Sequence, residues 1–184
     1  LVDLAVNKDV QDAILRDPVR SKIVDIIDIE QWFYHNKGNY APEGGVNMAP
    51  RQYQRKIRTG GARFEDVYRA VSEYRTRYPD KAVVYSAQKH PEMCWASLMA
   101  GGSCTAIPVK DQALLRSISA MKPATVSDSY LLVGDGEWLV YKDSNTSLNL
   151  DLKGNKCTIY QVDAKTGDVS KLKIAKGAAE ITGK

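Results

Sequence analysis

Between residues 81 and 110 the chain alternates short apolar runs with polar breaks. Residues 82–87 are too uniformly apolar for a half-exposed strand and predict a buried one. A polar turn over 88–91 follows. Residues 92–100 then predict a short helix, apolar on nearly every side through Met93, Trp95, Ala96, Leu98, Met99 and Ala100. Gly101 and Gly102 end it, because glycine enters the left-handed conformation that terminates helices. The apolar run over 104–109 predicts a second buried strand. Strand, helix, strand with buried runs at both ends is a βαβ unit with parallel strands. Such a unit needs other strands beside it.

The rest of the pattern supplies candidates. Residues 1–6 open as a strand. A helix over 10–16, capped by Asn7 or Asp9, breaks at Asp17-Pro18. Residues 23–34 carry Ile23, Val24, Ile26, Ile27 and Ile29 and give the strongest strand signal in the chain. Asp25 and Asp28 interrupt it, and a charge in a buried strand needs a partner or a task. Residues 62–78 predict an amphipathic helix, with Phe64, Val67, Tyr68, Val71 and Tyr74 at three- and four-residue spacing and Glu65–Arg69 and Glu73–Arg77 as supporting pairs. A further helix over 111–121 is closed by Pro123. Strands alternating with helices over 23–109 predict an α/β domain with a parallel sheet.

Residues 35–61 form a long stretch dense in glycine, proline and asparagine. A loop of that length inside a compact domain, rich in Tyr, His, Asn, Glu and Arg, points to function rather than disorder. From Thr125 the texture changes. Short strands over 130–133, 138–141, 148–152, 157–162 and 169–174 are separated by Gly134-Asp135-Gly136, Asp143-Ser144-Asn145, Lys153-Gly154-Asn155 and Lys165-Thr166-Gly167-Asp168. That predicts a small antiparallel β-sandwich. The boundary falls near 122–127, giving domains over 1–122 and 127–184.

Composition narrows the partners. The 26 basic and 22 acidic residues leave a net charge of +4, too mild to imply nucleic acid. No run approaches the ~20 apolar residues of a membrane span. Cys94, Cys104 and Cys157 form neither a CxxC pair nor a cluster with histidine, so the pattern offers no zinc site and no cofactor motif. Cys94 and Cys104 fall in apolar runs and read as buried thiols. The first residue is Leu1, directly in a strand-like run, which reads as the C-terminal piece of a longer protein.

The segments A-V-V-Y-S-A and W-A-S-L-M-A-G-G-S resemble the last βα units of a group of bacterial (β/α)8-barrel glycoside hydrolases. In that group the barrel is followed by a β-sandwich of the kind named after collagen binding. The tail, S-D-S-Y-L-L-V-G-D-G-E-W-L-V-Y and I-Y-Q-V-D-A-K-T-G-D-V, resembles that sandwich, and the chain's own opening, N-K-D-V-Q-D-A-I-L with Y-A-P-E-G-G-V-N, resembles uncharacterised bacterial members of the same group. The resemblance implies that the strands at Leu1, Ile23, Ala82 and Cys104 are the last four of a barrel. The fold expected is then the second half of a (β/α)8 TIM-like barrel plus an antiparallel β-sandwich. The missing N-terminal half would come from the same protein or a companion chain, since open apolar strand edges invite association. The resemblance also implies an oligo- or polysaccharide substrate and a secreted or periplasmic location.

Active sites of such barrels sit at the C-terminal ends of the strands, and most glycosidases use two carboxylates. Glu30 follows the most apolar strand and precedes aromatics able to stack on a sugar, so it is the leading candidate; a structural ion pair with an arginine is the competing reading. Asp28 and Glu30 share one face by strand alternation, with Asp25 on the other. Trp32, Tyr34 and Tyr40 offer a stacking platform or anchor the loop. His35, His90 and Gln88 offer hydrogen bonds to substrate hydroxyls, or are inert loop residues. Ser86 with His90 lacks the glycine pattern of a nucleophile elbow. Arg51, Arg55, Lys56, Arg58 and Arg63 read as a solvated face or as a grip on an acidic glycan, for which Arg51 is the first candidate. The sequence departs from the family where the seventh strand usually ends in a nucleophilic Glu: it reads Y-S-A-Q-K-H. Another carboxylate, such as Glu43 or one in the missing half, then does that work, or the protein is a glycan-binding or surface-interaction protein on a glycosidase-like scaffold.

Overall fold

The computed structural model describes residues 8–29, 33–34, 40–41, 63–86, 91–126, 129–142 and 147–182. The chain is a mixed α/β protein that divides into two compact units, Leu1–Ala106 and Ile107–Lys184. No helix among the described residues is long and apolar enough to cross a membrane.

In the first unit, α1 (Lys8–Arg16) is followed by a 3-10 helix (Arg20–Ile23) and β1 (Ile26–Ile29). Strands β2 (Phe33–Tyr34) and β3 (Tyr40–Ala41) pair antiparallel. Then come α2 (Phe64–Arg77), β4 (Ala82–Tyr85) and α3 (Pro91–Met99). β1 and β4 pair in parallel, Ile26 with Ala82 through Ile29 with Tyr85. The α2 stripe of Phe64, Val67, Ala70, Val71 and Tyr74 is buried, as the periodicity predicts. Asp66 closes its N-terminus by accepting from the Arg63 backbone N–H at 3.3 Å and its Nε at 3.1 Å. α2 packs on both β4 and α3. Ile27, Ile29, Val83 and Tyr85 fall on one face of the pair and are buried. α3, apolar nearly all round, buries Met93, Trp95, Ala96 and Met99. Its end is a Schellman motif: Gly102 N–H donates to Ser97 O at 2.8 Å and Gly101 N–H to Leu98 O at 2.9 Å, with Gly101 at φ 79°. A side chain at Gly102 would sit 2.3 Å from Ser97 Oγ, so only glycine fits.

Two predicted strands of this unit differ. The apolar run from Ile23 is not one strand. Asp17 Oδ1 accepts from the N–H groups of Val19 and Arg20, both at 2.9 Å, and the turn it caps runs on into the 3-10 helix that takes up Ile23. Ile23 is 81% exposed. Nor is the run from Cys104 a strand. Ser103 N–H reaches Val83 O at 2.6 Å, but Cys104 lies at φ 53°, which breaks an extended run, and Pro108 removes a ladder donor. Cys104 is therefore exposed rather than buried, while Cys94 is half-buried. The predicted strand over 1–6 lies outside the described residues.

The second unit holds α4 (Gln112–Ala120), capped by Asp111 Oδ1 at 2.9 Å from Ala113 N and 3.1 Å from Leu114 N. Strands β5 (Lys122–Val126), β6 (Ser129–Val133) and β7 (Trp138–Tyr141) form an antiparallel sheet. Pro123, expected only to stop the helix, enters β5, tolerable because β5 is an outer strand of the three. A long ribbon pairs β8 (Leu148–Val162) with β9 (Val169–Ile181). Lys153-Gly154, read as a turn between two strands, is instead an irregularity inside β8: both residues have positive φ, and the register shifts between Asp151 and Lys156. Tyr160 on this ribbon is 57% exposed.

A buried polar network ties α1 to α2. Lys8 Nζ lies 2.8 Å from Asp12 Oδ2, 2.9 Å from Glu73 Oε1 and 5.1 Å from the centre of the Tyr74 ring. The Tyr74 hydroxyl donates to Asp12 Oδ1 at 2.9 Å. Removing one member of a buried ion pair strands the others, so Lys8→Met should destabilise the protein by about 3 kcal/mol and Tyr74→Phe by about 1 kcal/mol. Urea unfolding of both variants beside the parent measures this; equal midpoints would contradict it.

At the ribbon's turn, Asp163 Oδ1 accepts from the N–H groups of Lys165 and Thr166, both at 2.8 Å. The backbone donors of Thr166 and Lys165 hold its carboxyl below the ordinary 3.8. A depressed folded value means that the turn's stabilisation is complete above that ordinary value and is lost as pH falls through the folded one. The amide proton shifts of Lys165 and Thr166, followed from about pH 6 down to about pH 2, should move together below the ordinary carboxylate range and stay flat in Asp163→Asn.

Candidate functional site

The parallel pair has two faces of different chemistry. Ile27 and Ile29, with Val83 and Tyr85, make the buried face, and burial pushes the Tyr85 phenol far above its ordinary value, helped by nearby Asp66. Tyr85 is thus a neutral core residue. Ile26, Asp28, Ala82 and Val84 make the other face. Ile26 is 61% exposed there, and Asp28, Ala82 and Val84 are half-buried.

Asp28 lies near the C-terminal end of β1, where open α/β sheets and barrels place their chemistry. Its register partner is Val84, so Ser86, two residues on, shares its face. The Ser86 hydroxyl donates to Asp28 Oδ1 at 2.7 Å, and Ser86 N–H closes the ladder on Ile29 O at 3.0 Å.

The backbone at Asp28 is held from the opposite edge. Carbonyls of Asp25 and Ile29 point to β4, where Ala82 N–H and Ser86 N–H meet them. Alternation turns the Asp28 carbonyl to the far edge of β1. There the buried Gln11 side chain donates to it through Nε2. Gln11 Oε1 lies 3.4 Å from the Tyr74 hydroxyl, whose one proton goes to the nearer Asp12 Oδ1. The α1–α2 network thus ends on the backbone that carries the candidate carboxylate.

Of the residues singled out from sequence, the structure brings Asp28 to a strand end and places Tyr34 in β2. Glu30, Trp32, His35, Glu43, Arg51, Gln88 and His90 lie outside the described residues. Sequence reasoning missed Ser86 as the partner of Asp28 and Gln11 as its backbone anchor. Register equivalence could have found Ser86 once β1 and β4 were paired; nothing in the local spacing signals Gln11. Among the described residues, no group of three or more His, Cys, Asp and Glu side chains converges as metal ligands would.

A separate cleft of about 410 Å³ opens at the other end of the pair, lined by Ser21, Val24, Asp25 and Lys81 among others. Lys81 Nζ is committed there to Ser21 O at 2.7 Å and Val24 O at 2.8 Å. Its task is to close the carbonyls that lead into β1, with Asp80 Oδ2 at 3.7 Å as its charge partner.

A family model described as "Domain of unknown function (DUF6298)" matches residues 1–121. No curated protein matches the chain, and no solved structure does.

The Asp28–Ser86 bond crosses between strands and joins a charged acceptor to a neutral donor. A double-mutant cycle with Asp28→Asn and Ser86→Ala should give a coupling of about 1 kcal/mol in unfolding free energy. Additive single effects would show that the two side chains do not act as a pair.

Proposed function

We propose, for a chain that belongs to the DUF6298 family, that it is the C-terminal part of a glycoside hydrolase. In this reading residues 1–122 form the second half of a (β/α)8 barrel, and 127–184 form an appended β-sandwich. The substrate is an oligo- or polysaccharide of plant or host origin, met outside the cytoplasm, and the first barrel half comes from the same protein or a companion chain. The observation that carries the reading is Asp28: a carboxylate at the C-terminal end of a parallel strand, on the face turned away from the buried core side chains and fixed by Ser86. Support also comes from the helix between β1 and β4, as a βα repeat requires.

Glu30 stands two residues after Asp28 and is assigned the proton transfer, with Asp28 shaping the field around it. Glu43 is assigned as the second carboxylate, unless the missing half supplies one. Trp32 and Tyr34 would stack on the sugar. His35, Gln88, His90 and Arg51 would bind its hydroxyls and carboxylates. General acid–base catalysis needs no other group than these carboxylates and a water molecule.

The second reading, a glycan-binding protein without turnover, is favoured by one feature: the described end of β4 presents Ser86 rather than a carboxylate. The two separate in one assay. Hydrolysis of pectic and hemicellulosic oligosaccharides by the protein with its complete barrel should fall about 10²–10⁴-fold in Glu30→Gln, with Asp28→Asn losing turnover more than affinity. Tight binding without cleavage in the parent would establish the second reading, and cleavage untouched by either substitution would remove these residues from the mechanism.

A further inference from the structure

The β8–β9 ribbon carries a face that its own unit leaves open. Cross-strand partners share a face, so Lys156 with Lys176, Thr158 with Ile174, Tyr160 with Lys171 and Val162 with Val169 lie together. Tyr160 is 57% exposed, Ile174 52% and Val169 39%, and Lys156, Lys171 and Lys176 are exposed. The opposite face is different: Cys157, Ile159 and Ala175 there are half-buried.

The charge is one-sided. Residues 156–162 and 169–176 contain Lys156, Lys171, Lys173 and Lys176 and no Asp or Glu. Among the described residues Lys156, Lys171 and Lys176 make no ion pair. The carboxylates at the ribbon's turn are engaged there: Asp163 by the N–H groups of Lys165 and Thr166, and Asp168 by the Thr166 hydroxyl at 2.8 Å. Three ammonium groups on the face of an exposed tyrosine, those of Lys156, Lys171 and Lys176, therefore stand without an ion pair among the described residues.

We propose that this face binds an acidic polysaccharide, a chain of uronic acid residues laid along the ribbon. Such a polymer alternates carboxylates with flat C–H faces, matching lysines set around a tyrosine and an isoleucine. A nucleic acid fits less well, because a net charge of only +4 is too mild for binding a phosphate backbone. A membrane surface would call for a larger apolar payload than Tyr160, Val169, Leu172 and Ile174 provide. The inference concerns the second unit and does not depend on the hydrolase reading, which turns on Glu30 and Asp28.

The test is calorimetric titration of the full chain with polygalacturonate, beside its fully methyl-esterified form, single-stranded DNA and phosphatidylglycerol vesicles. The expected result is binding to polygalacturonate that weakens as salt is raised and is absent for the ester. Tyr160→Ala should lower affinity about tenfold, and Lys156→Glu with Lys171→Glu should abolish it, with circular dichroism unchanged because all three side chains are exposed. Equal binding of the ester, salt-independent binding, unaltered affinity in the variants, or preference for DNA or vesicles would each overturn the proposal. The salt and ester arms need no variant. Failure here leaves hydrolysis of short oligosaccharides untouched, and failure of hydrolysis leaves this binding untouched.

Discussion

The register of β1 against β4 is the constraint on which the first unit depends. Four paired residues on each strand give few hydrogen bonds, each contributing only about 1 kcal/mol net. What holds the pair is its covered face, where Ile29 and Val83 lose all exposure and Ile27 and Tyr85 nearly all. Side chains of that size contribute about 1.5–3 kcal/mol each on full burial. Strand alternation has period two, so a slip of one residue would send Ile27 and Ile29 outward and Asp28 inward. The packing that fixes the register therefore also fixes Asp28 on the open face, within reach of Ser86. The site's geometry is a by-product of the core's.

The same coupling explains the buried charges of α1. Taking Lys8 out of water is costly unless its partners are well placed. Asp12, Glu73 and the Tyr74 ring supply them, and Arg77 and Arg16 stand on the outer side of those carboxylates at 3.0 and 3.5 Å. A network of this kind adds orientation more than stability. Its last member, Gln11, takes the one β1 carbonyl next to the candidate carboxylate that the ladder with β4 leaves over. α1 can dock on β1 and α2 in one way only if all these bonds are to form together.

How much of this was legible in the chain depends on how local each cause is. The α2 stripe and the Gly101 stop are set by neighbours three or four residues away, and the pattern gives them directly, whereas α1 starts at Lys8 with the expected cap Asp9 inside it and Pro123 lies in β5 rather than closing α4. The run from Ile23 misleads because its isoleucines suit a strand, while the Asp17 carboxylate three residues before Arg20 starts a tighter helix. Lys153-Gly154 has the chemistry of a turn, and the left-handed residues are there; only the partner strand β9 decides that they bend a ribbon instead of ending it. Asp28 was legible as a charge out of place in an apolar strand. Ser86 was not legible as its partner, because the bond spans 58 positions and exists only once the two strands are in register.

The open face of the pair sets its own terms for whatever lies against it. Parallel strands are ordinarily covered on both sides, and here Ile26 stands 61% exposed beside half-buried Ala82 and Val84. That apolar surface favours a cover. The same cover would take water from Asp28, whose carboxylate has Ser86 as a side-chain donor on one oxygen. A purely apolar cover would leave the other oxygen without a donor, at a cost comparable to what the apolar contact contributes. Only a cover that brings a polar group to that oxygen satisfies both demands. A neighbouring strand that carries a hydrogen-bond donor, or a hydroxyl-bearing ligand held at the strand ends, meets that description, and a greasy lid does not.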